Sequence, residues 1–161
     1  MRTGTSQYII AILEHDPLLS MLLGDCLSDA GHDVRLWIAG EAPYDFIEQV
    51  QPDLVVMDLW LPHPQEGLAV LTRLGTTPML RHMPLIVCSV DDLWLQAEAS
   101  VLHALRCSVL AKPFKLVELR LLVEACLRKA QLRTERQTLV GSVSGAMGAL
   151  NKQEGMQRWI G

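Results

Sequence analysis

Several features that mark particular classes of protein are scarce or missing in this sequence. Aromatic residues make up only 5% of the 161 residues, and the four cysteines (26, 88, 107 and 126) include no C-x-x-C pair. Neither a disulfide framework nor an ordinary zinc site is therefore expected. No apolar run approaches the ~20 residues that span a bilayer, no secretory leader is recognisable, and a net charge of -4 argues against a nucleic-acid coat. We therefore expect a cytoplasmic protein without direct nucleic-acid or membrane contacts.

What the sequence does contain is a fivefold alternation of short apolar runs and helix-like segments. The predicted strands cover residues 8–13, 33–37, 54–57, 85–88 and 108–111, and the predicted helices cover 18–30, 43–49, 67–74, about 92–105 and 116–129. Asp16 and Pro17 are typical of a helix start, and Gly31 of a helix end. The alternation predicts an α/β fold, a doubly wound five-stranded parallel sheet with helices on both faces.

The character of the chain changes near residue 130. Residues 1–130 carry ten basic and sixteen acidic side chains, whereas residues 131–161 carry four basic and two acidic ones together with five glycines. A segment of about 30 residues rarely builds its own core. We therefore predict one domain over residues 7–130, followed by a tail or an extension of the last helix over 131–161 and not by a separate output domain.

Polar side chains follow four of the predicted strands at the points where the strands end. They are Glu14, His15 and Asp16 after the first strand, Asp58 after the third, Ser89 after the fourth, and Lys112 with Pro113 after the fifth. The carboxyl ends of parallel strands meet at one edge of a sheet, where ligands bind. The set suits phosphoryl transfer to a carboxylate. Asp58 would be the nucleophile, Lys112 a cation, Ser89 a hydroxyl donor, and Glu14 with Asp58 would hold a divalent ion.

Longer blocks around these residues resemble response-regulator receiver domains, the phosphoacceptor modules of two-component signalling. The resemblance covers roughly residues 7–130. It rests on Ile12-Leu13-Glu14-His15-Asp16-Pro17, Pro52-Asp53-Leu54-Val55-Val56-Met57-Asp58-Leu59, Leu61-Pro62 leading to Glu66-Gly67, Pro84-Leu85-Ile86-Val87-Cys88-Ser89 and Leu110-Ala111-Lys112-Pro113-Phe114. It implies a flavodoxin-like fold with strand order 2-1-3-4-5.

The resemblance also implies a role for each of these residues. Asp58 would be the phosphorylated aspartate, Ser89 the switch hydroxyl and Lys112, followed by Pro113, the phosphate-contacting lysine. Mg²⁺ or Mn²⁺ would be held by Glu14 and His15, which align with the family's acidic pair, by Asp58 and by the backbone carbonyl of Trp60. The donor would be a histidine kinase or phosphotransfer protein, and the domain itself would not be an enzyme.

The main departure from the family pattern is His15, which stands where the family has an acidic Mg²⁺ ligand. Magnesium prefers oxygen ligands, and imidazole is a poor replacement. Metal could bind weakly through Glu14 and Asp58, with Asp16 reaching inward, or His15 could select a softer ion. Protonated His15 could also pair with Asp58 in place of part of the metal's charge, or His15 could simply face solvent.

Further departures concern the switch and its surroundings. Val90 follows Ser89 where the family prefers a small residue, and Val109 replaces the switch aromatic three residues before Lys112. The loop from Asp58 to Gly67 carries Pro62 and Pro64, is one residue longer than usual and places Trp60 near the pocket, as a shield or as loop packing. Because Val109 has no aromatic ring, the ring rotation that reports phosphorylation in the family is not available here.

Two functions remain open at this point. The first is a single-domain response regulator that signals through protein contacts or self-dimerisation, using the last two predicted helices and the strand between them, with Trp94, Leu95 and Leu121 as candidates. The second is a pseudo-receiver that His15 prevents from being phosphorylated. An enzyme on the same architecture is disfavoured, because D-x-D, G-x-G-x-x-G, P-loop and G-x-S-x-G motifs are all missing.

Overall fold

Five parallel strands form one sheet in the computed structural model, which describes residues 7–61, 64–78, 80–90 and 92–157. The strands are β1 (Ile9–Leu13), β2 (Asp33–Leu36), β3 (Leu54–Asp58), β4 (Leu85–Ser89) and β5 (Ser108–Ala111). Their order across the sheet is β2-β1-β3-β4-β5. This confirms the predicted fold and strand order, and each strand lies within one or two residues of its predicted bounds.

Within the described residues, six helices connect or follow these strands. They are α1 (Pro17–Asp29), α2 (Pro43–Val50), α3 (Pro64–Thr76), α4 (Asp92–Ala97), α5 (Ala99–Ala104) and α6 (Leu116–Gln157). The start of α1 follows the sequence signals closely, because the Oδ1 atom of Asp16 accepts hydrogen bonds from the backbone N–H groups of Leu18 and Leu19. Gly31, just beyond the helix, has a φ of 94°, a backbone conformation that glycine adopts without strain.

Two apolar layers cover the two faces of the sheet. Neighbouring residues in register, such as Ile12, Val56 and Ile86, face the same layer, which also contains Leu119 and Val123 of α6. The adjacent residues along each strand face the opposite layer, against α2 and α3. Residues of β3 and β4 are buried throughout, as expected for central strands with helices on both sides. The core therefore holds the central strand ends in place.

Three helices differ from the prediction. The single helix expected over about 92–105 is divided at Glu98, whose ψ of 8° departs from helical values, although its backbone N–H still bonds to the Trp94 carbonyl. Helix α3 starts earlier, because proline is tolerated in the first turn, and it continues past Gly75. Helix α6 continues past residue 129 to Gln157, which corresponds to the predicted helical extension and not to the predicted tail. Alanine, leucine, arginine and glutamine in this stretch favour helix strongly enough to offset the glycines.

The chain divides into two compact units, Met1–Leu127 and Arg128–Gly161. The first contains the sheet and the polar strand ends. In the second, side chains are described only up to residue 141, and nearly all of these are exposed, including Leu132 and Leu139. None of the helices that the structure describes is both long enough and apolar enough to cross a bilayer. The predicted domain boundary near residue 130 stays a prediction.

Candidate functional site

The polar residues predicted to converge lie together at the carboxyl edge of the sheet. Glu14 directly follows β1, Asp58 ends β3, Ser89 ends β4 and Lys112 directly follows β5. Backbone hydrogen bonds continue the strand pairing past the strand ends, because the Leu59 N–H donates to the Cys88 carbonyl at 3.1 Å and the Lys112 N–H to the Ser89 carbonyl at 2.8 Å. The sheet therefore positions these four residues through its backbone.

Lys112 connects two buried carboxylates. Its Nζ atom lies 2.7 Å from Oε2 of Glu14 and 2.8 Å from Oδ2 of Asp58. Glu14 is 4% exposed and Asp58 is 6% exposed, so the ammonium supplies the positive charge that such buried anions need. Because the three residues belong to three different strand ends, this contact forms only when the sheet is assembled.

The protonation of Lys112 follows from these contacts. Burial by itself would lower the pKa of the ammonium, because a charged group loses hydration in the interior. The hydrogen bonds that Lys112 donates to Asp58 and Glu14, together with the negative charges of these acids, outweigh burial and raise the pKa above its ordinary value. Lys112 is therefore a permanent cation in this site at neutral pH.

His15 points into the same group of side chains although it is half exposed. Its Nδ1 atom lies 3.1 Å from Oε1 of Glu14 and 3.4 Å from Oδ2 of Asp58. The possibility that His15 simply faces solvent is therefore wrong for this arrangement. Asp16 does not reach inward either, because its side chain caps α1.

Two backbone N–H groups orient the carboxylates, and the sequence analysis missed both. The Trp60 N–H donates to Oδ1 of Asp58 at 2.9 Å, and the Asp16 N–H donates to Oε1 of Glu14 at 3.0 Å. In each case the donor lies two residues after the acid, as in the local turns that acidic side chains often form. The sequence shows an acid after an apolar run at both positions, but local turns of this kind are too common to predict a site.

The arrangement offers donors for a metal ion. Glu14, His15 and Asp58 each contribute one potential ligand atom, and these atoms all lie within 4.8 Å of one another. Two carboxylates and one imidazole suit a divalent cation in principle. The carbonyl of Trp60, the fourth predicted ligand, stays a prediction.

The remaining predicted residues surround this centre. Ser89 is buried, whereas Pro113 is exposed and follows Lys112 through a cis peptide bond. Val90 and Val109 are 68% and 43% exposed, and Trp60 is 44% exposed. Pro62 lies outside the described residues. The cluster therefore contains Glu14, His15, Asp58 and Lys112 in direct contact, with Ser89 at the neighbouring strand end.

Comparisons with known proteins agree on the kind of domain. Residues 10–124 match the family model of the response regulator receiver domain. The chain is 30% identical over 120 residues to the DNA-binding dual master transcriptional regulator RpaA of Synechocystis sp., covering 74% of this chain and 49% of that protein. It is 30% identical over 121 residues to the transcriptional regulatory protein PhoP of Escherichia coli, covering 74% and 52%. The chain thus spans about half the length of these relatives.

A solved structure supports the same conclusion. NtrX from Brucella abortus superposes with a TM-score of 0.71 at 25% identity, covering 83% of this chain and 29% of that one. Receiver domains typically bind Mg²⁺ and interact with histidine kinases and phosphotransfer proteins, and the family is generally not enzymatic. The sheet order, the converging strand ends and the matched residues lead to one conclusion. The chain belongs to the response regulator receiver domain family of two-component systems.

Proposed function

We propose that this protein is a response regulator that accepts a phosphoryl group on Asp58 and passes its state on through protein–protein contacts. The observation that carries the proposal is the buried Asp58 carboxylate, held 2.8 Å from Lys112 at the carboxyl edge of the sheet. A carboxylate with an adjacent fixed cation can act as a nucleophile toward phosphorus. Its role would be that of a phosphoacceptor, with at most slow self-dephosphorylation.

The proposed transfer takes the phosphoryl group from a phosphohistidine of a kinase or phosphotransfer protein. A carboxylate oxygen of Asp58 forms a bond to phosphorus as the phosphorus–nitrogen bond breaks, and the leaving imidazole takes up a proton from solvent. The Lys112 ammonium, which bridges Glu14 and Asp58 in this structure, would move to contact a negatively charged phosphoryl oxygen. The Ser89 hydroxyl would donate a hydrogen bond to another phosphoryl oxygen. A divalent ion held by Glu14, His15 and Asp58 would supply further positive charge.

The proposed output is a protein partner or a second copy of the chain. Leu121 on α6 is 61% exposed and Val109 on β5 is 43% exposed, so each offers apolar contact area to a partner. Trp94 and Leu95, which the sequence placed on the same face, are partly buried against the core instead. Because Val109 replaces the usual aromatic residue, a conformational change on phosphorylation would have to reach the partner-binding surface without rotation of an aromatic ring.

The alternative is a pseudo-receiver that keeps the fold but is not phosphorylated. The contact of His15 Nδ1 with both Glu14 and Asp58 favours it, since an imidazole and an ammonium together can satisfy two carboxylates without metal. Under this alternative the domain would act only as a binding module.

Incubation with acetyl phosphate separates the two functions. The full chain is treated with this donor in Mg²⁺ and, separately, in Mn²⁺, and intact mass is measured for the wild type and for Asp58→Asn. We expect the wild type to gain the mass of one phosphoryl group and Asp58→Asn to gain none. The matched control is Asp45→Asn, an exposed acid on α2, which should behave as the wild type. No Asp58-dependent gain with either ion would overturn the proposal and support the pseudo-receiver.

A further inference from the structure

His15 places a nitrogen donor in a site that would otherwise offer oxygen donors alone. We propose that the site formed by Glu14, His15 and Asp58 selects a divalent first-row transition ion such as Co²⁺ over Mg²⁺. The inference rests on the proposed phosphoacceptor site but concerns which ion that site accepts.

The position of the imidazole fits ligation. Donor atoms bound to one ion at about 2.0–2.2 Å and separated by about 90–110° lie about 2.8–3.6 Å from each other. The Nδ1 atom of His15 lies 3.1 Å from Oε1 of Glu14 and 3.4 Å from Oδ2 of Asp58. The nitrogen thus lies at ligand spacing from one oxygen of each acid, and the ligand atoms of the three side chains all lie within 4.8 Å of one another.

The charge of the surrounding side chains also favours a cation. Glu14 and Asp58 together carry two negative charges and are almost fully buried. Among the described residues, the ammonium of Lys112 is the one lysine or arginine group in ion-pair contact with them. Two buried carboxylates with one paired ammonium leave negative charge that a bound cation would neutralise. His15 is 49% exposed, so solvent ions have direct access.

Ligand chemistry then decides which cation is preferred. Mg²⁺ takes oxygen ligands and gives up its water reluctantly. Transition ions bind imidazole well, and their affinity for a mixed nitrogen and oxygen site rises along the series from Mn²⁺ to Cu²⁺. Replacing one carboxylate of an all-oxygen site by imidazole lowers the site's negative charge and adds a nitrogen donor. The lower negative charge weakens the binding of every cation, and the nitrogen donor offsets this loss for a transition ion but not for Mg²⁺.

Calorimetric titration of the full chain at one fixed pH, without any phosphoryl donor, tests the selectivity. Co²⁺ and Mg²⁺ are titrated separately, and the visible absorption of Co²⁺ gives an independent readout of nitrogen ligation. We expect the wild type to bind Co²⁺ at least about tenfold more tightly than Mg²⁺. His15→Asp should tighten Mg²⁺ binding, lower the preference for Co²⁺ and change the absorption spectrum.

The matched control is His103→Asp, which makes the same chemical change at an exposed histidine on α5 and should leave both affinities unchanged. His15→Ala serves as a second variant with its fold checked by circular dichroism, and it should weaken Co²⁺ more than Mg²⁺. Equal affinities in the wild type, an unchanged ratio in both His15 variants, or no binding of either ion would each overturn the inference. Failure of Asp58 phosphorylation would leave these binding results standing, so the two proposals fail separately.

Discussion

Lys112 and the two acids beside it carry the chemistry proposed for this receiver domain. Glu14 and Asp58 are isolated acids after apolar runs in the sequence, and each would be read as a turn residue by itself. In the folded chain each accepts a hydrogen bond from a backbone N–H two residues later and from the same ammonium. Their low exposure follows from this pairing, since an unpaired buried carboxylate would be strongly unfavourable.

A residue-scale prediction concerns the partly buried thiol of Cys107, which packs against the core. Burial raises the pKa of this thiol from 9.0 to about 12, because the interior disfavours the thiolate. Between pH 9 and 12 the unfolded chain therefore ionises here while the folded chain does not, and the free energy of unfolding falls as pH rises through this window.

Urea unfolding of the wild type and of Cys107→Ala at pH 6, 8 and 10.5 measures this effect. The difference in the free energy of unfolding should be constant between pH 6 and 8. At pH 10.5 the wild type should have lost more stability than the variant. An identical loss in both proteins would contradict the assigned pKa.

At the scale of single elements, α6 combines two environments along one helix. Leu119, Val123 and Leu127, spaced by four residues, are buried against the sheet, as the predicted apolar stripe requires. Leu121 lies between them in sequence and is 61% exposed. Leu119 therefore packs in the core, whereas Leu121 on the same helix lies at the surface.

This pair gives a direct test of the packing. Leu119→Ala should lower the free energy of unfolding by about 2–5 kcal/mol, because it leaves a cavity under the sheet. Leu121→Ala should change it by no more than about 0.5 kcal/mol, since an exposed leucine loses little on truncation. Chemical denaturation of both variants measures the difference, and similar losses in the two would contradict the placement of α6.

At the scale of the whole molecule, the sheet-containing unit holds both apolar layers and the candidate site. The unit Met1–Leu127 includes every strand and every residue of the site. The described side chains of the helix after residue 127 are nearly all exposed. An isolated helix of this kind gains little stability without packing, so the second unit should add little to the stability of the first.

A truncated chain tests this independence. A chain ending after Ala130 should unfold cooperatively, with a thermal midpoint within about 3 °C of the full chain, as followed by circular dichroism. A chain ending after Glu118 removes Leu119, Val123 and Leu127 from the core and should not fold. If the longer truncation also lost its cooperative transition, the second unit would be required for folding.

The sequence was a good guide to the elements and a weaker guide to their ends. Apolar runs predict the inner strands β1, β3 and β4, because strands covered on both faces must be apolar along their length. The edge strand β2 instead alternates Val34 and Leu36 with charged residues. Asp16 and Gly31 predict the ends of α1, because capping depends on neighbouring residues alone. The break at Glu98 was not predicted, and the sequence left open whether residues after 130 extend the last helix or form a tail, since helix breaks and extensions depend on the sum of many weak preferences.

By itself, the sequence determined the order of the strands along the chain. It also determined which polar residues stand at the ends of the strands, namely Glu14, Asp58, Ser89 and Lys112. These follow from local patterns and from the rule that parallel strands end at one edge. Only the tertiary structure decided which groups touch. It placed the Lys112 ammonium between Glu14 and Asp58, turned His15 inward and packed Trp94 against the core. Side-chain direction and contact between distant strand ends depend on the packed sheet, and no local pattern encodes them.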